Sequence, residues 1–187
     1  QIMKAHAISD AQQLERFITV QAYYSLAGRE LEREIVPMLN DQKMGLLPWS
    51  PLAGGLLTGK FTGDPVGDQG HRRSTFDFPP VDSEKTSSIV ATLAEISKLL
   101  GATIPQLALA WLLHQPHVTS VIIGAKRMSQ LKDNLAAVEV ELDADDLQKL
   151  DAASALTPEY PQWMFELQST GRSPGTVRDF SKMMRTS

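Results

Sequence analysis

The chain of 187 residues contains no cysteine, which excludes disulfides and thiolate metal centres and fits a reducing compartment. Histidine is scarce too. His114 and His117 flank Pro116 near an expected helix end without a third ligand close by, and His71 stands beside Arg72 and Arg73 in a Gly- and Pro-rich stretch. No metal site is expected from them. No apolar run reaches membrane length, and no basic segment followed by an apolar one marks a leader, so no membrane association is expected. The net charge of -4 is mild and gives no reason to expect a nucleic-acid partner. A soluble cytoplasmic protein is the default expectation. Serine-hydrolase elbows, zincin motifs and calcium loops are missing as well. Nothing in the chain reads as a self-sufficient acid, base or nucleophile.

What is present reads as an α/β protein. Hydrophobic residues make up 42% and charged residues 21%, near globular averages and enough for one domain with a core. The chain opens at Gln1 with Ile2, Met3 and Ala5 in mid-pattern, as in the tail of a helix that begins earlier. Phe17 to Tyr24 is β-branched and aromatic with little alternation, a buried-strand pattern. Leu31, Ile35, Met38 and Leu39 then fall at helical spacing, with a regular helix beginning around Pro37. Met44 to Ser50 is a second short apolar run. Gly63 to Asp82 is dense in Gly, Pro, Asp and Arg and predicts a long loop.

Two helices are predicted next, Ser83 to Leu100 ending at Gly101, and Ile104 to Gln115 with Thr103 as N-cap and Pro105 in the first turn. Val118 to Gly124 is the clearest strand signal in the chain. Met128, Leu131, Leu135 and Val138 trace a helical stripe, and Asp143 caps a further helix through Leu147 and Leu150. The alternation argues for parallel strands joined by helical crossovers. A (β/α)8 barrel typically needs about 250 residues, so the chain would hold only part of one. A small open α/β sheet is the alternative on periodicity alone.

Three segments could carry chemistry. Gly54-Gly55-Leu56-Leu57-Thr58-Gly59-Lys60 nearly spells a P-loop, but Phe61 stands where a magnesium-binding Ser or Thr is required. Glycine-rich backbone after a strand end, plus one lysine, still suits a diphosphate. Trp49-Ser50-Pro51-Leu52 falls at the C-terminal end of the second strand, the edge that carries ligands in parallel α/β folds. There Trp49 is either a stacking platform or a half-buried core residue. Gly124-Ala125-Lys126-Arg127, followed by Gln130 and Asn134 four residues apart on one helix face, suits a phosphate with an attached base or else forms a solvated face.

Taken together, Gln21-Ala22-Tyr23-Tyr24-Ser25-Leu26, Trp49 through Lys60, and Val121-Ile122-Ile123-Gly124-Ala125 with Gln130 and Asn134 resemble the aldo-keto reductase family. The likeness runs from near Gln1 to about Met164. It is strongest to the bacterial branch to which potassium-channel beta subunits are also similar. The resemblance implies the C-terminal half of a (β/α)8 TIM barrel over residues 1–156, with a C-terminal tail at 157–187, and NADP as cofactor.

It further implies that Gln21 holds the nicotinamide carboxamide and that Trp49 stacks on the nicotinamide ring. Ser50, Leu52, Gly54 and Lys60 would line the diphosphate, joined from the loop by Arg72. Gly124, Lys126, Gln130 and Asn134 would grip the adenosine 2′-phosphate and adenine, Lys126 acting as a point charge without the guanidinium fork. The family's catalytic Asp, Tyr, Lys and His are expected before Gln1, and no residue here is assigned to them.

A small-molecule carbonyl substrate is implied, with a missing N-terminal half or another chain needed to close the barrel. Two alternatives to an NADP-dependent reductase stand beside it. One is an NADP-binding regulatory subunit similar to channel beta subunits, the other an inactive truncated fragment.

Overall fold

The computed structural model describes residues 1–60, 78–161 and 163–164. The chain divides into two units, Gln1–Ala155 and Leu156–Ser187. In the first, helix α1 (Ile2–Ala11) leads to strand β1 (Thr19–Tyr23). A 3-10 turn (Glu30–Glu32) and helix α2 (Ile35–Gln42) follow, then strand β2 (Gly45–Trp49). Another 3-10 segment (Ala53–Thr58) precedes helices α3 (Ser83–Leu100), α4 (Ile104–Leu113) and α5 (Met128–Leu135). A final 3-10 turn (Ala136–Glu139) and helix α6 (Ala144–Ser154) complete the unit. In the second unit, Tyr160 and Trp163 pack edge to face with centroids 6.2 Å apart.

Strands β1 and β2 pair in parallel, with Gln21 opposite Leu47 and Tyr23 opposite Trp49. Successive side chains alternate faces, so Val20, Ala22, Leu46 and Pro48 turn toward the helices. Gln21, Tyr23, Leu47 and Trp49 share the opposite face. On that second face Thr19, Gly45 and Thr119 form a row. A Cβ at Gly45 would collide with the Thr119 hydroxyl and approach Thr19 Cγ2 to 3.4 Å, which is why the row has glycine at its centre.

The helix starts follow elementary capping. Asp82 accepts from Lys85 N at 3.0 Å, and Asp143 accepts from Asp146 N at 2.8 Å. Thr103 and Gln106 form a reciprocal box at the start of α4. Gly101 ends α3 at φ 69°, a left-handed conformation that glycine adopts without cost. Pro37 lies in the first turn of α2, where its missing N–H leaves no helical bond unmade.

The core lies between the inner sheet face and α2, α3, α4 and α6. Leu39, Leu46, Ile89, Leu93, Leu107, Trp111, Leu112 and Leu150 are all fully buried there. A polar clasp crosses its edge. Arg29 lies over the Trp111 ring at 5.0 Å and pairs with Glu32 at 2.7 Å and Asp151 at 2.9 Å. Trp111 Nε1 donates to the same Asp151 carboxylate at 3.1 Å, and the Tyr24 hydroxyl donates to Glu32 at 2.6 Å. Burial first, then that hydrogen bond, keeps the Tyr24 phenol protonated well above its usual range.

Three sequence expectations need correction. Val118–Gly124 is not a regular strand. It runs beside β2 through one bridge, Leu46 with Val118, and through Ile122 N bonding Pro48 O at 2.9 Å. Its described bonds to β2 are Leu46 N to His117 O, Thr119 N to Leu46 O and Ile122 N to Pro48 O, short of a continuous ladder.

The Phe17–Tyr24 run is not buried throughout. Phe17 is 67% and Ile18 77% exposed, and the strand starts only at Thr19. β1 is an edge whose apolar approach lies in solvent.

The stripe Met128, Leu135 and Val138 faces outward, while Asn134 and Ala137 are buried. Helix α5 thus docks through a face rotated from its apolar one. The expected loop at Gly63 to Asp82 falls outside the described residues up to position 77; from Phe78 to Val81 the chain is irregular, and Asp82 is the cap of α3.

Candidate functional site

A groove of about 720 Å³ opens where the connection after β2 meets the segment from Ile123 into α5. Of the residues singled out from sequence, Ser50, Leu52, Gly54, Lys60, Gly124, Lys126, Gln130 and Asn134 all line it. Segments more than 60 residues apart in sequence therefore meet at one surface. Gln21 and Trp49 do not line the groove; they lie on the outward face of the β1–β2 pair, with Trp49 immediately before Ser50. Arg72 lies outside the described residues.

The wall after β2 is a tightly wound, strained turn. Ser50 and Ala53 have φ of 51° and 50°, left-handed values that are uncommon for residues with a Cβ, and Gly54 and Gly55 continue at 67° and 104°. Its amides bond within the turn. Ala53 N donates to Ser50 O at 2.8 Å, and Gly54 N to Ser50 Oγ at 3.1 Å. Gly55 N and Leu57 N both donate to Leu52 O. Those four amides are therefore not free to form an anion nest, and this wall offers the Ser50 hydroxyl and Lys60 instead.

The opposite wall is governed by Gln130. Its Oε1 accepts from Lys126 N at 3.0 Å and Arg127 N at 3.2 Å, reaching back to cap the start of α5. That leaves the Gln130 amino group as its remaining donor and holds the Lys126 and Arg127 backbone in place. Both basic side chains stand exposed at the rim.

Asp133, the one acidic residue lining the groove among the described residues, accepts from Thr103 Oγ1 at 3.1 Å and Gln106 Nε2 at 2.8 Å. Those bonds tie α5 to the start of α4. With Lys60, Lys126 and Arg127 against Asp133, the described lining of the groove is net positive.

Asn134 is 8% exposed, yet its side chain makes no hydrogen bond to another described residue. The described side-chain atoms that are both buried and unpartnered belong to His6 and His117, so the Asn134 amide still reaches the groove, where water or a ligand can bond it. Lining the groove, Asn134 offers both a donor and an acceptor to a flat polar group.

On the outward sheet face three rings gather. Tyr23 lies 5.3 Å from Trp49 at a 36° tilt, and Phe78 stacks on Trp49 at 5.6 Å and 9°. Tyr23 is braced in turn. Its hydroxyl lies 3.0 Å from Ser25 Oγ, and a Cβ at Gly28 would run into its ring.

Tyr23, Asp133 and Phe78 are not assigned from sequence, and Arg127 is read only as part of the basic pair with Lys126. Period-2 spacing from Gln21 marks Tyr23 on the same strand face, and helical spacing puts Asp133 beside Gln130. Nothing local marks Phe78. Among the described residues no group of His, Cys, Asp or Glu is arranged to hold a metal ion, and no single helix is long and apolar enough to cross a membrane.

The geometry can be set beside known proteins. The model of the aldo/keto reductase family matches residues 1–155. The uncharacterized oxidoreductase YrpG of Bacillus subtilis is 34% identical over 166 residues, covering 87% of this chain and 49% of its own length. A protein of Arabidopsis thaliana named as a probable voltage-gated potassium channel subunit beta is 35% identical over 148 residues, 75% of this chain and 44% of its own length. The NADH-specific methylglyoxal reductase of Escherichia coli is 35% identical over 138 residues, 73% of this chain and 42% of its own length. The chain thus spans less than half the length of each of these relatives. A family match that takes in both walls of the groove and the whole of the first unit shows that the chain belongs to the aldo/keto reductase family.

Proposed function

We propose that this chain is the cofactor-binding half of an NADP(H)-dependent oxidoreductase that reduces aldehydes or ketones to alcohols. Family membership and oxidoreductase relatives support carbonyl reduction in general. The observation that carries the cofactor assignment is the meeting of Asn134 and Gln130 with Lys60, Lys126 and Arg127 in one groove beside Ser50. When bound, the dinucleotide supplies the hydride.

This chain's residues hold and orient it. Lys126, with Arg127 beside it, faces the 2′-phosphate, and Asn134 and the Gln130 amino group meet the adenine end. Gly124 leaves room for close approach. Ser50 and Lys60 hold the diphosphate against a wall formed by Leu52 and Gly54. Trp49 stacks on the nicotinamide, and Gln21, two residues from the register partner of Trp49, bonds its carboxamide. The proton-donating residues belong to a polypeptide portion before Gln1 or to another chain, which completes the barrel begun by residues 1–156; residues 157–187 form the tail. The cytoplasm is the proposed location.

Cofactor preference is the point to test, because one relative is named NADH-specific. Lys126→Ala removes a charge-assisted contact worth about 1.5 kcal/mol, the low end because the side chain is exposed and screened. Calorimetric titration should show NADP binding weakened roughly tenfold and NAD binding nearly unchanged. Equal losses for both would sink the assignment.

The likeness to a channel beta subunit supports a second reading, an NADP-binding regulatory subunit. Measured with a small aldehyde, turnover of NADPH by the completed protein favours the enzyme. Tight binding without turnover favours the subunit, and a folded chain that binds no dinucleotide favours an inert fragment.

A further inference from the structure

The Phe78 ring lies nearly parallel to Trp49, 9° between planes and 5.6 Å between centroids, the geometry of an offset aromatic stack. Tyr23 meets the same indole from the neighbouring strand, as its partner in the sheet register. Phe78 comes from outside the sheet, four residues before the Asp82 cap of α3, and is 40% exposed. It covers a flat apolar surface while remaining half in water itself. A planar ligand ring and a phenyl ring would use that surface in the same way.

We propose that Phe78 is a built-in occupant of the stacking site on Trp49, so that seating of a nicotinamide ring and seating of the Phe78 ring exclude each other. The inference rests on the cofactor reading above and adds a residue which that reading does not assign. Its consequence is a penalty on affinity. A ligand that must displace Phe78 binds only the fraction of molecules in which the indole is open, so its apparent Kd is the intrinsic Kd divided by that fraction. The penalty falls on the nicotinamide end alone, since Phe78 does not line the groove between Ser50 and Asn134.

The test titrates the full chain, with folding verified by circular dichroism, with two probes: NADP⁺, and 2′,5′-ADP, which lacks the nicotinamide. Phe78→Ala should bind NADP⁺ about 2- to 10-fold tighter than the parent chain, the range expected from loss of one aromatic stack. Its affinity for 2′,5′-ADP should not change. Phe78→Leu keeps an apolar side chain without the ring and should behave likewise, which guards against a folding artefact. In a Trp49→Leu background the gain from Phe78→Ala should vanish, because the two rings act as one coupled pair. Unchanged or weaker NADP⁺ binding by Phe78→Ala would overturn the proposal and make Phe78 a neutral or supporting neighbour of the platform. If 2′,5′-ADP still binds in that case, the cofactor reading survives. If the parent chain binds neither probe, the cofactor reading falls and takes this inference with it.

Discussion

Single residues in this chain are decided by what they are packed against. His117 shows it most clearly. Its Nε2 is buried without a partner among the described residues, and its ring lies 5.4 Å from Tyr24. Burial, the largest influence, pushes its pKa below the ordinary 6.5; the nearby Glu32 pulls the other way, and Arg29 adds to the lowering. The folded state therefore refuses a proton that the unfolded state accepts. Stability should be unaffected above pH 6.5 and should fall as the pH drops below it toward the folded-state value. Urea denaturation at pH 7.5 and 5.5 should show a smaller loss in His117→Phe than in the parent chain; an equal loss would place the acid sensitivity elsewhere. The sequence marked His117 only as an unconvincing metal ligand. Its tight environment comes from Tyr24, nearly a hundred residues away, and no local pattern announces that.

At the scale of elements, capping and period account for most of what was legible. Asp82, Thr103 and Asp143 each precede a helix and each accepts a backbone N–H from its first turn. Thr103 does more, since its hydroxyl also donates to Asp133 on α5. Thr103→Ala should therefore lower stability by about 1 kcal/mol through loss of the cap. It should also weaken 2′,5′-ADP binding by loosening the helix that carries Asn134. Chemical denaturation and titration of the same variant check both, and a stability loss with untouched binding would confine Thr103 to capping.

Helix α5 is where pattern misled. Met128, Leu135 and Val138 repeat at helical spacing yet lie exposed, while Asp133 ties α5 to the start of α4 and Asn134 and, in the following 3-10 turn, Ala137 are the buried residues. Hydrophobic period locates an apolar stripe, but only a neighbour decides whether it is covered.

Across the first unit, exposed apolar side chains include Met3, Ile8, Leu14, Phe17 and Ile18 in the segment that leads into β1, and Ile122, Met128, Leu135 and Val138 in the segment through α5. Uncovered apolar patches beside an open strand edge invite association. That is the physical support for the proposal that further polypeptide completes a barrel here. Ile18→Lys at the β1 border should reduce both self-association in analytical ultracentrifugation and binding of a hydrophobic dye. Its melting temperature should hardly move, because Ile18 is 77% exposed and packs little within the chain. A large drop in melting temperature would mean that the border is internal structure rather than a docking surface.

The sequence by itself determined where helices begin and end, because caps and prolines act over one turn of chain. It also determined which segments form the groove, because Trp49–Lys60 and Gly124–Asn134 carry recognisable residue types in order. The tertiary structure alone decided how the polar groups are used. Gln130 turns its oxygen to Lys126 and Arg127, the turn after β2 satisfies its own amides, and Asp133 is held by Thr103 and Gln106. It also set Phe78 on Trp49 and left Val118–Gly124 short of a ladder. Hydrogen bonds and ring stacks between distant segments depend on distances that a one-dimensional pattern does not contain. Strand assignment, likewise, requires a continuous ladder with a neighbour and not β-forming residues alone.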